Sequence, residues 1–201
     1  MRKGFTLVEM LVVLGIVAVL VGAGLGAYSG VAKAAETKRC QELVSNTATA
    51  LTTLFQKKGS WPKSLRTKGA SDGELDADAA LALAKGGVRS LTLDGDRLSG
   101  YDRFGVVSPW AVAHIKRRGR SAAIGDKIGE GTLRDHILHF AIDLDGDGII
   151  EGASVGGESV DIRATAAVWC CGKDGKIESY SLGRRKDDVY SWTYGQTQGV
   201  K

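Results

Sequence analysis

Carboxylates fall on every second residue in Asp143-Leu144-Asp145-Gly146-Asp147-Gly148. Calcium takes six to eight oxygen ligands, and alternating acids ahead of a glycine turn can supply several of them. The run matches the first half of an EF-hand loop. Glu151 stands at the ninth position of that pattern and could add a ligand, but Ser154 occupies the twelfth, where a bidentate Glu would be expected. An acidic hairpin turn without metal uses the same residue types, so calcium on Asp143, Asp145 and Asp147 and a plain turn both stay open. The chain has three cysteines, too few for a disulfide framework, and at least one lacks an intrachain partner. Cys170 and Cys171 are adjacent and face opposite sides of any strand that holds them. Outside the cytoplasm a Cys40–Cys170 bond is available, and buried apolar thiols are the alternative. His114, His136 and His139 are scattered and no Cys-x-x-Cys occurs, so zinc is not expected. No nucleophile motif or phosphate loop is present, and the chain is not expected to be an enzyme.

One further acid stands apart. Arg2 and Lys3 precede an apolar run of 23 residues from Phe5 to Ala27, and its single charge is Glu9. That length suffices for a helix to cross about 30 Å of hydrocarbon. Positive charge before the run predicts a cytoplasmic N-terminus and the remainder of the chain outside. A carboxylate in such a segment costs a few kcal/mol unless it finds a partner or a proton. A cut before Phe5 would create a partner, because the freed amine lies four residues from Glu9 or beside the Glu9 of a neighbouring subunit.

Gly4-Phe5-Thr6-Leu7-Val8-Glu9-Met10-Leu11-Val12-Val13-Leu14 resembles the prepilin cleavage and methylation motif of type IV pilin-like proteins. The resemblance implies that a membrane peptidase cuts after Gly4, that Phe5 becomes the methylated N-terminus, and that Glu9 guides assembly into a filament. A secretory signal peptide ending at Ala32-Lys33-Ala34 fits less well. Its apolar region would far exceed the usual 7–15 residues, and Glu9 would have no role in it. Gly22 and Gly26 have the small-xxx-small spacing that lets helices approach closely.

The C-terminal region carries a second resemblance. Gly172-Lys173-Asp174-Gly175, followed by Asp187-Asp188-Val189-Tyr190-Ser191-Trp192, is similar to the calcium-binding loop of the major pseudopilins of type II secretion. It implies Asp174, Asp187 and Asp188 as side-chain ligands. Arg184, Arg185 and Lys186 precede the pair, so an ion-paired loop without metal is the alternative. Gly59-Ser60-Trp61-Pro62 resembles the Gly-x-Tyr-Pro segment after the stalk helix of pseudopilins, and Tyr101-Asp102-Arg103-Phe104-Gly105 loosely resembles their Asp-Pro-Trp-Gly segment.

These groups need elements to hold them. Tyr28, Val31, Ala35, Cys40, Val44, Ala48, Leu51, Leu54 and Phe55 recur at three- and four-residue steps, which predicts one helix from about Thr6 to Gln56. Lys57, Lys58 and Gly59 suit its end. Asp76 or Asp78 could cap a short helix through Leu83 that stops at Gly86 and Gly87. Leu91 and Leu93 alternate before the Asp94-Gly95 turn, and Val112-Ala113-His114-Ile115 reads as a short strand. Leu138, Phe140, Ile142 and Leu144 alternate, as do Ala166, Val168 and Cys170, giving three or four antiparallel strands. The fold class is therefore α+β, a pilin fold by resemblance. The expected division is a leader at 1–4, a transmembrane helix at 5–27, a stalk helix at 28–58 and a periplasmic head at 59–201.

The formal net charge is only +4, so the chain as a whole does not attract nucleic acid by charge. Lys116-Arg117-Arg118-Gly119-Arg120 lacks the nearby aromatics that single-strand binding uses, and nucleic acid is not an expected partner. The resemblance implies a structural subunit of a type II secretion pseudopilus in the bacterial inner membrane. Its partners would be further copies of itself, in a homopolymer or a mixed pseudopilus filament, the prepilin peptidase and the inner-membrane assembly platform of the secretion system. A type IV pilus subunit for adhesion, motility or DNA uptake is the alternative.

Overall fold

The structure, a computed structural model, describes residues 7–85, 104–183, 187–193 and 196–200, without the side chains of 23–30, 32, 33, 182 and 198–200. The chain forms two compact units, Met1–Lys38 and Arg39–Lys201. The architecture is α+β, as expected from the sequence, with helix first and antiparallel strands after.

Helix α1 runs over Leu7–Lys58. In the first unit its apolar side chains are exposed, among them Leu7, Val8, Leu11, Leu14 and Val19. An apolar surface of this extent calls for an apolar environment beyond the chain's own core. Among the described residues no helix is long and apolar enough to cross a membrane. The run expected to span extends beyond them at Phe5 and Thr6, and its side chains from residue 23 onward are outside them too.

In the second unit α1 buries Cys40, Val44, Thr47, Leu51 and Leu54, alternating four- and three-residue steps that keep one face inward. The expected stripe started earlier, but Val31 and Ala35 are exposed and burial begins at Cys40. The helix stops at Gly59, whose φ of 67° suits a residue without a Cβ. Its N–H donates to the Phe55 carbonyl at 2.7 Å. Pro62 then leads into a short helix, α2 (Lys63–Lys68). Asp76 is the acid that caps α3 (Ala77–Lys85), since its Oδ1 accepts the Ala79 N–H at 3.1 Å.

Strands β1 (Gly73–Glu74), β4 (His139–Ile142), β7 (Ala166–Cys170) and β8 (Val189–Tyr190) form an antiparallel sheet in the order β1-β4-β7-β8. The register pairs Phe140 with Val168 and Ile142 with Ala166. The expected alternation holds at Leu138, Phe140 and Ile142 and at Ala166, Val168 and Cys170, but Leu144 lies beyond β4 and is exposed. All five residues of β7 are buried, because both faces of this sheet are covered. Phe140, Ile142, Val168 and Cys170 pack with the buried face of α1. Ala141, Ala167 and Trp169 pack on the other side against Val155, Val160 and Ile162. Those three belong to a second sheet of β5 (Ile150–Val155), β6 (Glu158–Ile162) and β9 (Thr197–Val200). A two-stranded ribbon, β2 (Lys127–Ile128) with β3 (Gly131–Thr132), precedes β4 in the chain.

Val112 to Ile115 is not a strand. It belongs to helix α4 (Pro109–Arg118), preceded by Ser108 at the N-cap position and opened by a proline. Pro at the first helical position costs no hydrogen bond and presets φ. Ala111 and Ile115, four residues apart, form the buried face. The expected Leu91 and Leu93 strand, the Asp94-Gly95 turn, Gly86, Gly87 and Tyr101 to Arg103 lie outside the described residues.

Candidate functional site

Glu9 is in the first turn of α1 and exposed. A carboxylate there is favoured by the positive end of the helix dipole. Gly4 and Phe5 lie outside the described residues. From Leu7 to Gly22, α1 carries Glu9 as its one charged residue on an apolar surface, which suits packing against other apolar helices.

Among the described residues, the head holds two clusters of carboxylates. In the first, Asp143, Asp145 and Asp147 each offer an oxygen within 4.8 Å of the others. Asp143 directly follows β4 and is almost fully buried, and its two oxygens accept the Gly146 and Gly148 N–H groups at 2.7 and 2.8 Å. Asp147 accepts the Ile149 N–H at 2.7 Å. Asp143 thus organises the turn, while Asp145 and Asp147 are exposed. Glu151 lies on β5, exposed, and is not in the group. A carboxylate has about four lone-pair positions, so each acid retains capacity for a cation. The set fits calcium in donor type, with water or main-chain oxygens needed to complete its shell.

The second group follows β7. Asp174, Glu178 and Asp187 are half-buried and offer oxygens within 4.8 Å of one another. Two of the three acids implied by the resemblance are thus brought together. Asp188 is not in this group. Its oxygens accept the Gly172 and Glu178 N–H groups, both at 3.1 Å, and the Tyr190 hydroxyl at 3.3 Å. Burial raises its pKa to about 6 against those hydrogen bonds. Asp187 accepts the Lys173 N–H at 2.6 Å. A Cβ at Gly172 would lie 2.1 Å from the Asp187 carboxyl carbon, so any side chain there would displace that carboxylate. Tyr180, Tyr190 and Trp192 form an aromatic cluster against Trp169 and anchor the segment after Asp188. Glu178 is the acid that the sequence pattern does not single out. Its signal is only its position inside the loop that Asp174 opens and Asp187 closes. Arg184, Arg185 and Lys186 lie outside the described residues.

Trp61 is buried, stacks on Phe55 with ring centroids 4.8 Å apart, and ties the segment after α1 to the first acidic turn. The basic cluster is the end of α4, where cations suit the helix dipole. Arg118 lies 3.6 Å from Asp126, which also meets His114 Nε2 at 3.1 Å. Cys40 and Cys170 face each other from α1 and β7, while Cys171 Sγ lies 3.2 Å from His136 Nδ1.

Residues 1–25 match the prokaryotic N-terminal methylation motif, the prepilin-type signature of type IV pilin-like proteins and pseudopilins. Together with the helix-then-sheet architecture, the motif supports a type IV pilin-like protein. It also points to a membrane-anchored N-terminal segment, to processing by prepilin peptidase and to assembly into filaments. Comparison with curated proteins and with solved structures gives no match.

Proposed function

We propose that the chain is a subunit of a type II secretion pseudopilus, held in the inner membrane by the first part of α1 with its head in the periplasm. After cleavage at Gly4, the Phe5 amine pairs with Glu9 of the same or a neighbouring subunit. Neutralised in this way, the exposed apolar helix surface packs into a filament that engages the inner-membrane assembly platform. The observation that carries this reading over a pilus is the loop after β7. It gathers Asp174, Glu178 and Asp187, and it resembles the calcium loop of major pseudopilins.

Calcium is the cation proposed for this loop, with Asp188 supporting it from behind through the Gly172 and Glu178 amides. Deletion of the gene in its own host tests the assignment. Secreted proteins should accumulate in the periplasm while surface pili and motility persist. Intact secretion with loss of pili, adhesion or DNA uptake would establish the pilus alternative.

A further inference from the structure

We infer that Cys40 and Cys170 form an intrachain disulfide that fastens α1 to the middle of the head sheet. Both residues are fully buried in the same core cluster, beside Val44 and Val168. Their sulfurs are 2.8 Å apart, across 130 residues of chain. A disulfide holds its sulfurs at about 2.05 Å, so a movement of less than about 1 Å closes the bond. Strand alternation selects the partner. Cys170 points to the face covered by α1, whereas Cys171 points away, toward His136. Cys171 therefore stays a thiol.

The bond rests on the proposed periplasmic head, because disulfides persist in oxidising compartments. Its formation removes two protons and two electrons from the thiols. The acceptor is a protein disulfide of the thiol-oxidase class outside the cytoplasm. One chain thiolate attacks it to give a mixed disulfide, the second thiol displaces the oxidase sulfur, and the oxidase leaves as a dithiol. The exchange belongs to the folding chain. In the folded head, hydrogen bonding to Cys40 and burial push the Cys170 thiol well above its ordinary pKa and keep reagents away. The same burial shields the finished bond from reductants.

The test uses the full mature chain from its own host, denatured in the presence of a maleimide without reductant. One adduct, on Cys171, is expected from its three cysteines, against three adducts after prior reduction. Tryptic peptides 40–57 and 164–173 should appear as one linked species. C171S should keep the link, and C170S should lose it and release Cys40. Reduction should lower the melting temperature by roughly 5–15 °C. Three adducts on a chain whose head is reached by protease added to spheroplasts would overturn the bond. If that protease shows a cytoplasmic head, the chain is refolded in detergent with oxidised and reduced glutathione. The 40–57 to 164–173 link formed there would keep the disulfide and reject only the compartment, while its absence there would overturn the disulfide.

Discussion

Trp61 donates a 2.6 Å hydrogen bond from its indole Nε1 to the main-chain carbonyl of Asp143, joining two points 82 residues apart. The bond holds the exit from α1 against the start of the first acidic turn, and the Phe55 ring backs it. Trp61→Phe keeps an aromatic ring but leaves that carbonyl without its indole donor. It should cost about 1–2 kcal/mol. Trp61→Ala also opens a cavity and should cost about 3–5 kcal/mol. Denaturant unfolding of the detergent-solubilised chain measures both, and wild-type stability in Trp61→Phe would show that the hydrogen bond contributes nothing.

Asp143 and Asp145 look equivalent in the sequence motif but differ in the structure. Asp143 is buried and closes the turn through two main-chain N–H groups, whereas Asp145 is exposed. In chelator, Asp143→Ala should destabilise the head by about 2–4 kcal/mol, since hydrogen bonds to a charged acceptor are the stronger kind. Asp145→Ala should stay within about 0.5 kcal/mol there. If the turn binds calcium, the ion should raise the wild-type melting temperature and Asp145→Ala should abolish that rise. A large loss for Asp145→Ala in chelator would contradict the assigned roles.

Two groups give the head opposing pH dependences. Burial holds His136 below its ordinary pKa, so the unfolded chain takes up the proton first as pH falls below about 6.5. Stability should therefore drop on acidification, and His136→Gln should flatten that drop. Asp188 is raised to about 6, so between that pH and the ordinary carboxylate range the folded chain holds the proton more tightly. Its contribution falls as pH rises from about 4 to about 6, by about 1–2 kcal/mol once solvent screening is allowed for. Asp188→Asn should remove this second slope. Differences between variant and wild type, measured by unfolding at pH 4 to 7.5, separate the two. A His136→Gln profile parallel to wild type would remove His136 from the account.

Cleavage after Gly4 should leave 201 − 4 = 197 residues beginning with methylated Phe5, read by intact mass. A mature chain beginning at Ala35 would instead identify a secretory signal peptide and remove the filament reading.

Glu9→Ala should insert into the membrane as well as wild type or better, because it removes a charge from an apolar helix. Its incorporation into sheared filaments should fall by an order of magnitude or so if the Phe5–Glu9 pairing is worth about 1.4 kcal/mol or more. Wild-type incorporation would show that the carboxylate has no part in assembly.

What was legible in the sequence is local. Glu9 in its apolar run behind Gly4-Phe5 is a contiguous pattern, so the processing motif is read without knowledge of the fold. The helical steps around Cys40 and the alternation in β4 and β7 are also local, since a buried face imposes its period on consecutive residues. Val112 to Ile115 misleads because a four-residue apolar window fits either period, and the deciding signal was the preceding Ser108-Pro109. Strands β5 and β6 escape because their ends lie in glycine-rich turns and their pairing includes a register shift between Ile150 and Ala153. Tertiary structure alone decided that Asp143 turns inward while Asp145 stays in solvent, that Glu178 joins Asp174 and Asp187 while Asp188 backs the loop, and that Cys40 meets Cys170 across the core. Each is a contact between chain segments brought together by packing, and the free energy that chooses among such contacts comes from burial on both sides of β7, which no short window of sequence contains.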